Sequence, residues 1–341
     1  MKFNKINKII IFGGARLVSE FSQILKKSDK YELVIFSAKR HLEESVDERG
    51  KTLKDVFIES GIKYYESDDI NGDKNLAKEI TEGTLGVAMG AAWVFQKNTV
   101  SLFENRHLLD FMGIDLPRYR GGAHYSWQIL HRNKKAAANL QVIEGGEETF
   151  HRGEIIKRKE YNLPCSVKKP IDYFENCLAE EKAFLKEFLE EIEKNKEFNM
   201  TKLNESESSY YPFLSTLKNG LINWSWSGEE IHLFISAFDD PYAGAGTFLN
   251  GKKVFLKDSN FSESDEKFHP FTSGLVIRKD AKEISIATVG GLIQVKSVLD
   301  EKNKDIKEEI NLGDRFFTPV KELEKALEFK AVYNASGLKK K

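Results

Sequence analysis

The residues whose types and spacing could do chemistry are concentrated in LLDFMGIDLPRYRGGAHYSW, residues 108–127. It carries one of the chain's seven prolines. Arg118 and Arg120 are guanidinium forks that match carboxylate or phosphate. Gly121 and Gly122 allow positive φ or a close approach of backbone to a ligand. Pro117 drives Leu116 toward extended geometry. These four, Arg118, Arg120, Gly121 and Gly122, are the candidate substrate contacts. A rigid turn bearing solvated arginines is the plain alternative. Other reactive side chains form no constellation. Cys165 and Cys177, the only two cysteines, lack metal-ligand spacing and cannot make a disulfide framework. His41, His107, His131, His232 and His269 read as structural.

The elements that must position this stretch follow from periodicity. Lys8–Phe12 (KIIIF) is an apolar run ending in Gly13-Gly14, a buried strand and turn. Leu17, Phe21, Ile24 and Leu25 recur at helical spacing, and Tyr31–Phe36 is a second strand. This is one βαβ unit of a parallel sheet. Residues 52–58 and 75–80 read as helices, 63–65 as a short strand, and Leu85–Met89 as another buried strand. A short helix over 99–103 and a strand over 107–111 follow. The reactive stretch therefore begins at a central strand and continues past its carboxyl end, the edge where open α/β sheets bind ligands. A helix over 126–131 and strands over 137–143 and 154–159 complete an α/β unit. No G-x-G-x-x-G is present, which argues against a dinucleotide.

Residues 171–198 predict a long amphipathic helix, and 199–220 a polar connector. From Gly220 the pattern changes. Ser227 caps a helix through Ile235. Short strands follow at 246–249, 253–256, 275–278, 283–287 and 291–298, with Asn250-Gly251 as a hairpin turn. The expected division is 1–205 for the α/β domain, 206–325 for a small β-barrel domain, and 326–341 for a tail ending in Lys339–Lys341.

The bulk composition narrows the function. A chain of 341 residues, 40% of them hydrophobic, has room for two cores. Lys+Arg 52 against Asp+Glu 53, a net charge of −1, gives no global field for nucleic acid. No signal peptide or apolar run of membrane-spanning length is evident, so the expectation is a soluble cytoplasmic protein with no membrane partner.

Leu116-Pro117-Arg118-Tyr119-Arg120-Gly121-Gly122, with Trp127 following, resembles the L-P-x-Y-R-G…W signature of the 10-formyl-tetrahydrofolate-dependent formyltransferases. That family includes methionyl-tRNA formyltransferase and the sugar N-formyltransferases. Ile222-Asn223-Trp224, then Ala237–Ala245 (AFDDPYAGA) and Thr247–Lys253 (TFLNGKK), is similar to the start of its C-terminal domain. The resemblance spans roughly residues 8–320. It implies a Rossmann-like α/β formyltransferase domain followed by an OB-like β-barrel.

The resemblance also implies a chemistry, in which an amine attacks the formyl carbon. An Asn-x-His pair before L-P-x-Y-R-G and an Asp in a D-x-G-[DE] turn carry it in the family. Here the Asn position falls on Asp110, the His on Met112 and the Asp on His151. A thioether neither donates nor transfers a proton. A rearranged site would use Asp110 and His151 as base and orienter, with His124 donating to the oxyanion. The donor would lie among Met89, Gly90, Ala92, Val94, Ile143, Glu144 and Gly145. The co-substrate implied is 10-formyl-tetrahydrofolate, with no metal. A small-molecule acceptor, a nucleotide-linked amino sugar, is preferred over initiator tRNA, and a homodimer is left open. Two other readings remain. One is a related enzyme of different chemistry, either acyl transfer from another donor or hydrolysis. The other is a pseudoenzyme that binds ligand or serves as a partner subunit.

Overall fold

The computed structural model describes residues 1–47, 49–149, 151–263, 268–334 and 337–338. The first sheet is built from β1 (Lys8–Gly13), β2 (Glu32–Ser37), β3 (Lys63–Glu66), β4 (Thr84–Met89), β5 (Leu108–Met112), β6 (Lys135–Val142) and β7 (Ile155–Asn162). Their order is β3-β2-β1-β4-β5-β6-β7. β1 to β5 are parallel, and β6 and β7 are antiparallel additions. The chain leaves β1 toward β2 and β3, then returns to place β4 on β1's other side. This reversal makes a topological switch point between β1 and β4, the usual ligand crevice of such sheets. Every residue of β1 and β4 is buried, as expected of strands covered on both faces.

Helices of seven residues or more are α1 (Ala15–Ser28), α2 (Leu53–Glu59), α3 (His124–Leu130), α4 (Pro170–Glu193), α5 (Gly228–Ala237) and α6 (Val320–Glu328). Thr52 opens α2 with a capping box, exchanging hydrogen bonds with Asp55. α4 packs Leu178, Phe184, Leu185, Phe188 and Ile192 into the core under the sheet. It stops at Glu193, short of the expected residue 198. Asn195 turns left-handed (φ 55°), and Phe198 N–H then donates to the Met1 carbonyl. The short helix expected over 99–103 lies at Lys97–Val100. α3 begins two residues earlier than expected, at His124, directly on the glycine pair.

The second sheet comprises β8 (Ala245–Leu249), β9 (Lys252–Glu263), β10 (Val276–Lys279), β11 (Ile284–Thr288), β12 (Gly291–Leu299) and β13 (Phe316–Phe317). It runs β10-β11-β12-β9-β8-β13 and is antiparallel throughout. Val276 N–H donates to Asp314 O, and Phe316 N–H to Gly274 O, so the two ends of the curled sheet meet as a half-barrel. Asn250 (φ 50°) and Gly251 (φ 76°) form the expected hairpin turn. β9 runs on to Glu263 instead of stopping near 256, because β12 pairs with it along that whole length. α6 runs Val320–Glu328, so it starts within the residues assigned to the barrel domain and reaches only the first three of the expected tail. Lys339–Lys341 lie outside the described residues.

The two sheets share a core. Ile129 of α3 and Tyr173 and Cys177 of α4 belong to the same apolar cluster as Trp224, Ile231, Ile235 and the barrel interior. Ser126 Oγ donates to Ala237 O at 2.7 Å, joining α3 to the end of α5. Among the described residues no helix is long and apolar enough to cross a membrane.

Candidate active site

Alternation along β5 decides which side chains face where. Leu109 and Phe111 join the cluster beneath the sheet with α1 and α4. Leu108 joins the opposite cluster with Phe12, Ala88, Trp93, Phe95 and Phe103. Asp110 shares the face of Leu108, between Ala88 of β4 and Gln141 of β6. The loop after β6 folds over this face. It is held by Arg106, which pairs with Glu144 at 2.9 Å and Glu154 at 3.1 Å. Gln141 Nε2 donates to Gly153 O at 2.7 Å, and Arg120 Nε donates to His151 O at 3.0 Å.

That loop brings His151 to Asp110, with 3.6 Å between Nε2 and Oδ2. Their side chains are 8% and 14% exposed. Burial pushes the Asp110 carboxyl up to about 7, since an ion there loses hydration without gaining a strong cation. Burial also holds His151 down at about 3, with His124 and Arg120 adding to the effect. His124 is lowered to about 4, again by burial. Around neutral pH the site is therefore two neutral imidazoles and a carboxyl poised between its two forms.

His124 Nε2 lies 3.1 Å from Gly121 O. A carbonyl oxygen only accepts, so Nε2 carries the proton, and neutral His124 presents a bare Nδ1. The expected donation from His124 to an oxyanion thus has no N–H to make it. Met112 is buried with Ile114, Leu116 and Ile155 in a small apolar cluster and adds no polar group.

The arginines expected to meet substrate are engaged within the chain. Arg120 is buried, with NH1 and NH2 donating to the two Glu205 oxygens at 2.6 and 2.8 Å, and NH1 also to Ser208 Oγ. Arg118 pairs with Glu207 and lies 3.5 Å from Asp115. The glycines are shaped by the same connector. Gly121 (φ 114°) would place a Cβ 1.9 Å from Tyr211 O, and Gly122 would place one 2.2 Å from the Phe213 ring. Arg120–Gly121 pairs with Tyr210–Tyr211 as a short parallel ladder. Tyr211 packs against Tyr119, Trp127 and His131. Residues 204–213 are thus a strap across the Leu116–Gly122 loop, whose glycines make room for it. Below the loop, Arg158 joins Leu116 O, Asn139 Oδ1 and the buried Asp115. The fixing residues Glu205, Glu207, Asn139 and Arg158 were not singled out in the sequence. An acidic pair in a polar connector, matching two arginines in number, was the available signal.

The two stretches expected to hold a donor are adjacent. Gly146 N–H donates to Phe95 O at 2.8 Å, and Gly145 (φ 83°) lies against Lys97. Met89 is buried, Ala92, Val94 and Ile143 are half-buried, and Glu144 is turned outward to Arg106. Gly90 (φ 64°) is exposed at the end of β4, with open space where a side chain would be. Among the described residues no cluster of His, Cys, Asp or Glu could hold a metal ion.

A Rossmann-like α/β domain joined to a curled antiparallel half-barrel matches the fold of solved formyltransferase structures. Residues 215–311 match the family model described as the formyl transferase C-terminal domain. Methionyl-tRNA formyltransferase of Acetivibrio thermocellus is 26% identical over 202 residues, 59% of this chain and 62% of that protein. The Streptococcus thermophilus enzyme of the same name is 24% identical over 306 residues, 87% of this chain and 92% of the relative. The N-formyltransferase of Helicobacter canadensis, solved with folinic acid and dTDP-3-aminofucose, superposes with a TM-score of 0.61 at 19% identity, covering 86% of this chain and all of that one. The chain is thus similar to formyltransferases in fold and in sequence, and its residues 215–311 carry the match to that family's C-terminal domain.

Proposed function

We propose that the protein transfers a formyl group from 10-formyl-tetrahydrofolate to the amine of a nucleotide-linked amino sugar. The buried Asp110–His151 pair at the end of β5 is the observation that carries this reading. The Helicobacter canadensis structure, crystallised with a folate and a dTDP-amino sugar, supports the choice of both substrates. The folate supplies the formyl carbon. The turn at Gly90 and the stretch Ile143–Gly145 are the backbone against which its ring edge would lie.

In this reading Asp110 acts in its protonated form. Held neutral by burial, its O–H donates to the oxygen that becomes negative as the amine attacks, the task an Asn amide performs at the equivalent family position. His151, kept neutral by burial, takes on its unprotonated ring nitrogen the proton released by the attacking nitrogen. Arg120 and Gly121 act by holding the loop, with Arg120 also fixing His151 through its carbonyl. The net charge of −1 favours a small acceptor over a polyphosphate such as tRNA.

The test is direct. Protein incubated with 10-formyl-tetrahydrofolate and a panel of amino-sugar nucleotides is expected to yield a product heavier by one CO. Methionyl-tRNA serves as the rival acceptor. Absence of turnover with every acceptor, together with absence of folate binding by calorimetry, overturns the enzyme reading.

A further inference from the structure

The loop that carries His151 leaves β6 after Val142 and returns as β7. Backbone closes its base: Val142 N–H donates to Glu154 O at 2.9 Å, and Ile143 N–H to Leu108 O at 3.0 Å. The two carboxylates that flank it converge on one guanidinium. Arg106 Nη2 lies 2.9 Å from Glu144 and Nη1 3.1 Å from Glu154. The backbone is strained where it presents that guanidinium. Asn105 (φ 49°) and Arg106 (φ 65°) are successive left-handed residues, and neither is glycine. Asparagine tolerates this region, but an arginine seldom enters it and stays only where its surroundings over-determine it. His151, within the loop, is left-handed as well (φ 57°).

Arg106 and Asp110 ride on one piece of backbone. Arg106 stands in the turn that enters β5, and Asp110 follows on the strand itself, at most about 13 Å further at strand rise. The guanidinium therefore ties the loop to the same strand whose carboxyl His151 meets at 3.6 Å. Arg120 and Gln141 hold the returning limb of the loop, through His151 O and Gly153 O. Arg106 holds the leaving and the returning limb together. We infer that Arg106 is a positioning residue for His151: with its guanidinium on both carboxylates the loop lies down and the imidazole is buried against Asp110, and with those pairs parted the imidazole meets water. The inference rests on the base role given to His151 above, and it makes that base responsive to salt. Arg106 and Glu144 are 45% and 43% exposed, so their attraction is screened as ionic strength rises. The groups that face His151 are Asp110 of β5, Arg120 of the Leu116–Gly122 loop and His124 of α3. Burial among them is the main cause that holds the imidazole uncharged.

Titration of His151 by nuclear magnetic resonance reads the clamp without any substrate. The full chain is labelled with nitrogen-15 histidine, and the His151 signals are identified by their absence from His151→Gln. In the wild type at about 0.05 M salt the imidazole, held down at about 3, is expected to show no titration between pH 5 and 9. Arg106→Gln, and separately the double variant Glu144→Gln/Glu154→Gln, should bring a titration at about 6 to 6.5, the range of a hydrated imidazole. Sodium chloride at about 1 M should move the wild type the same way and leave both variants where they are. With 10-formyl-tetrahydrofolate and the acceptor, kcat of Arg106→Gln should fall about tenfold near neutral pH and further in acid, because a protonated imidazole takes no second proton. Arg106→Lys, which keeps the charge without the fork, should lie between the two. A His151 that stays untitrated in both variants overturns the inference. So does a His151 that titrates near 6.5 in the wild type at low salt, or an Arg106→Gln enzyme with the kcat and pH profile of the wild type. The titration shift in both variants, with no formyl transfer by the wild type, keeps the clamp and refutes the reaction.

Discussion

Replacing Asp110 with Asn tests the site most sharply, because the two roles open to this carboxyl predict opposite results. Burial moves it from 3.8 to about 7. That is about 3 units, or about 4 kcal/mol against ionisation in the folded chain, at 1.36 kcal/mol per unit. At pH 6 the group is mostly protonated and can donate. At pH 8 about one molecule in ten retains the proton, and at pH 9 about one in a hundred. Loss of a single oxyanion donor costs about 10²–10³ in rate, so the wild type should fade as this proton leaves. An amide donates at every pH. The quantity to measure is therefore the ratio of kcat/KM for Asp110→Asn to that of wild type between pH 6 and 9, in which ionisation of the acceptor amine cancels. The ratio should be flat and within about tenfold of unity near pH 6, then rise about tenfold per unit above pH 7. A variant that is at least a hundredfold slower at every pH would refute the reasoning and make Asp110 the base.

The same substitution should alter stability. A carboxyl raised in the folded state favours folding most below pH 4 and loses that contribution as pH rises through 7. Asp110→Asn should therefore melt higher than wild type at pH 9 and show less loss between pH 5 and 9, measured by differential scanning calorimetry. His151→Ala should lower kcat about a hundredfold at saturating substrates, with folate affinity by calorimetry unchanged. Gly121→Ala forces a side chain onto Tyr211 O at φ 114°. It should cost roughly 2–4 kcal/mol in urea unfolding and quench or shift the Trp127 fluorescence as the strap moves away.

The parallel strands were legible because a continuous apolar run such as KIIIF or LGVAM suits a strand covered on both faces. Asn250-Gly251 was legible because that turn demands positive φ twice. Helix ends were less so: α4 looked five residues longer because Lys194, Lys196 and Glu197 are ordinary helix formers, whereas Asn195 turns left-handed and Phe198 pairs with Met1. The meeting of Asp110 and His151 could be expected only through the family resemblance, since forty residues of chain separate them. Their shifted protonation was hidden altogether, because burial is a property of the assembled face. The arginines misled for a related reason. A guanidinium reads alike in sequence whether it awaits a phosphate or already holds Glu205.

The strap has a consequence in time as well as in space. Tyr211 lies about ninety residues downstream of the Tyr119–Gly121 loop it covers. A ribosome that has completed the first sheet has therefore delivered every reacting side chain and none of their cover. Until residue 213 emerges, Arg120 has no Glu205, Gly122 has no ring above it, and the loop has nothing to fix its course. A nascent chain at that stage holds the right functional groups but no site, so synthesis of the connector, rather than of the residues that react, is the step that makes the active centre.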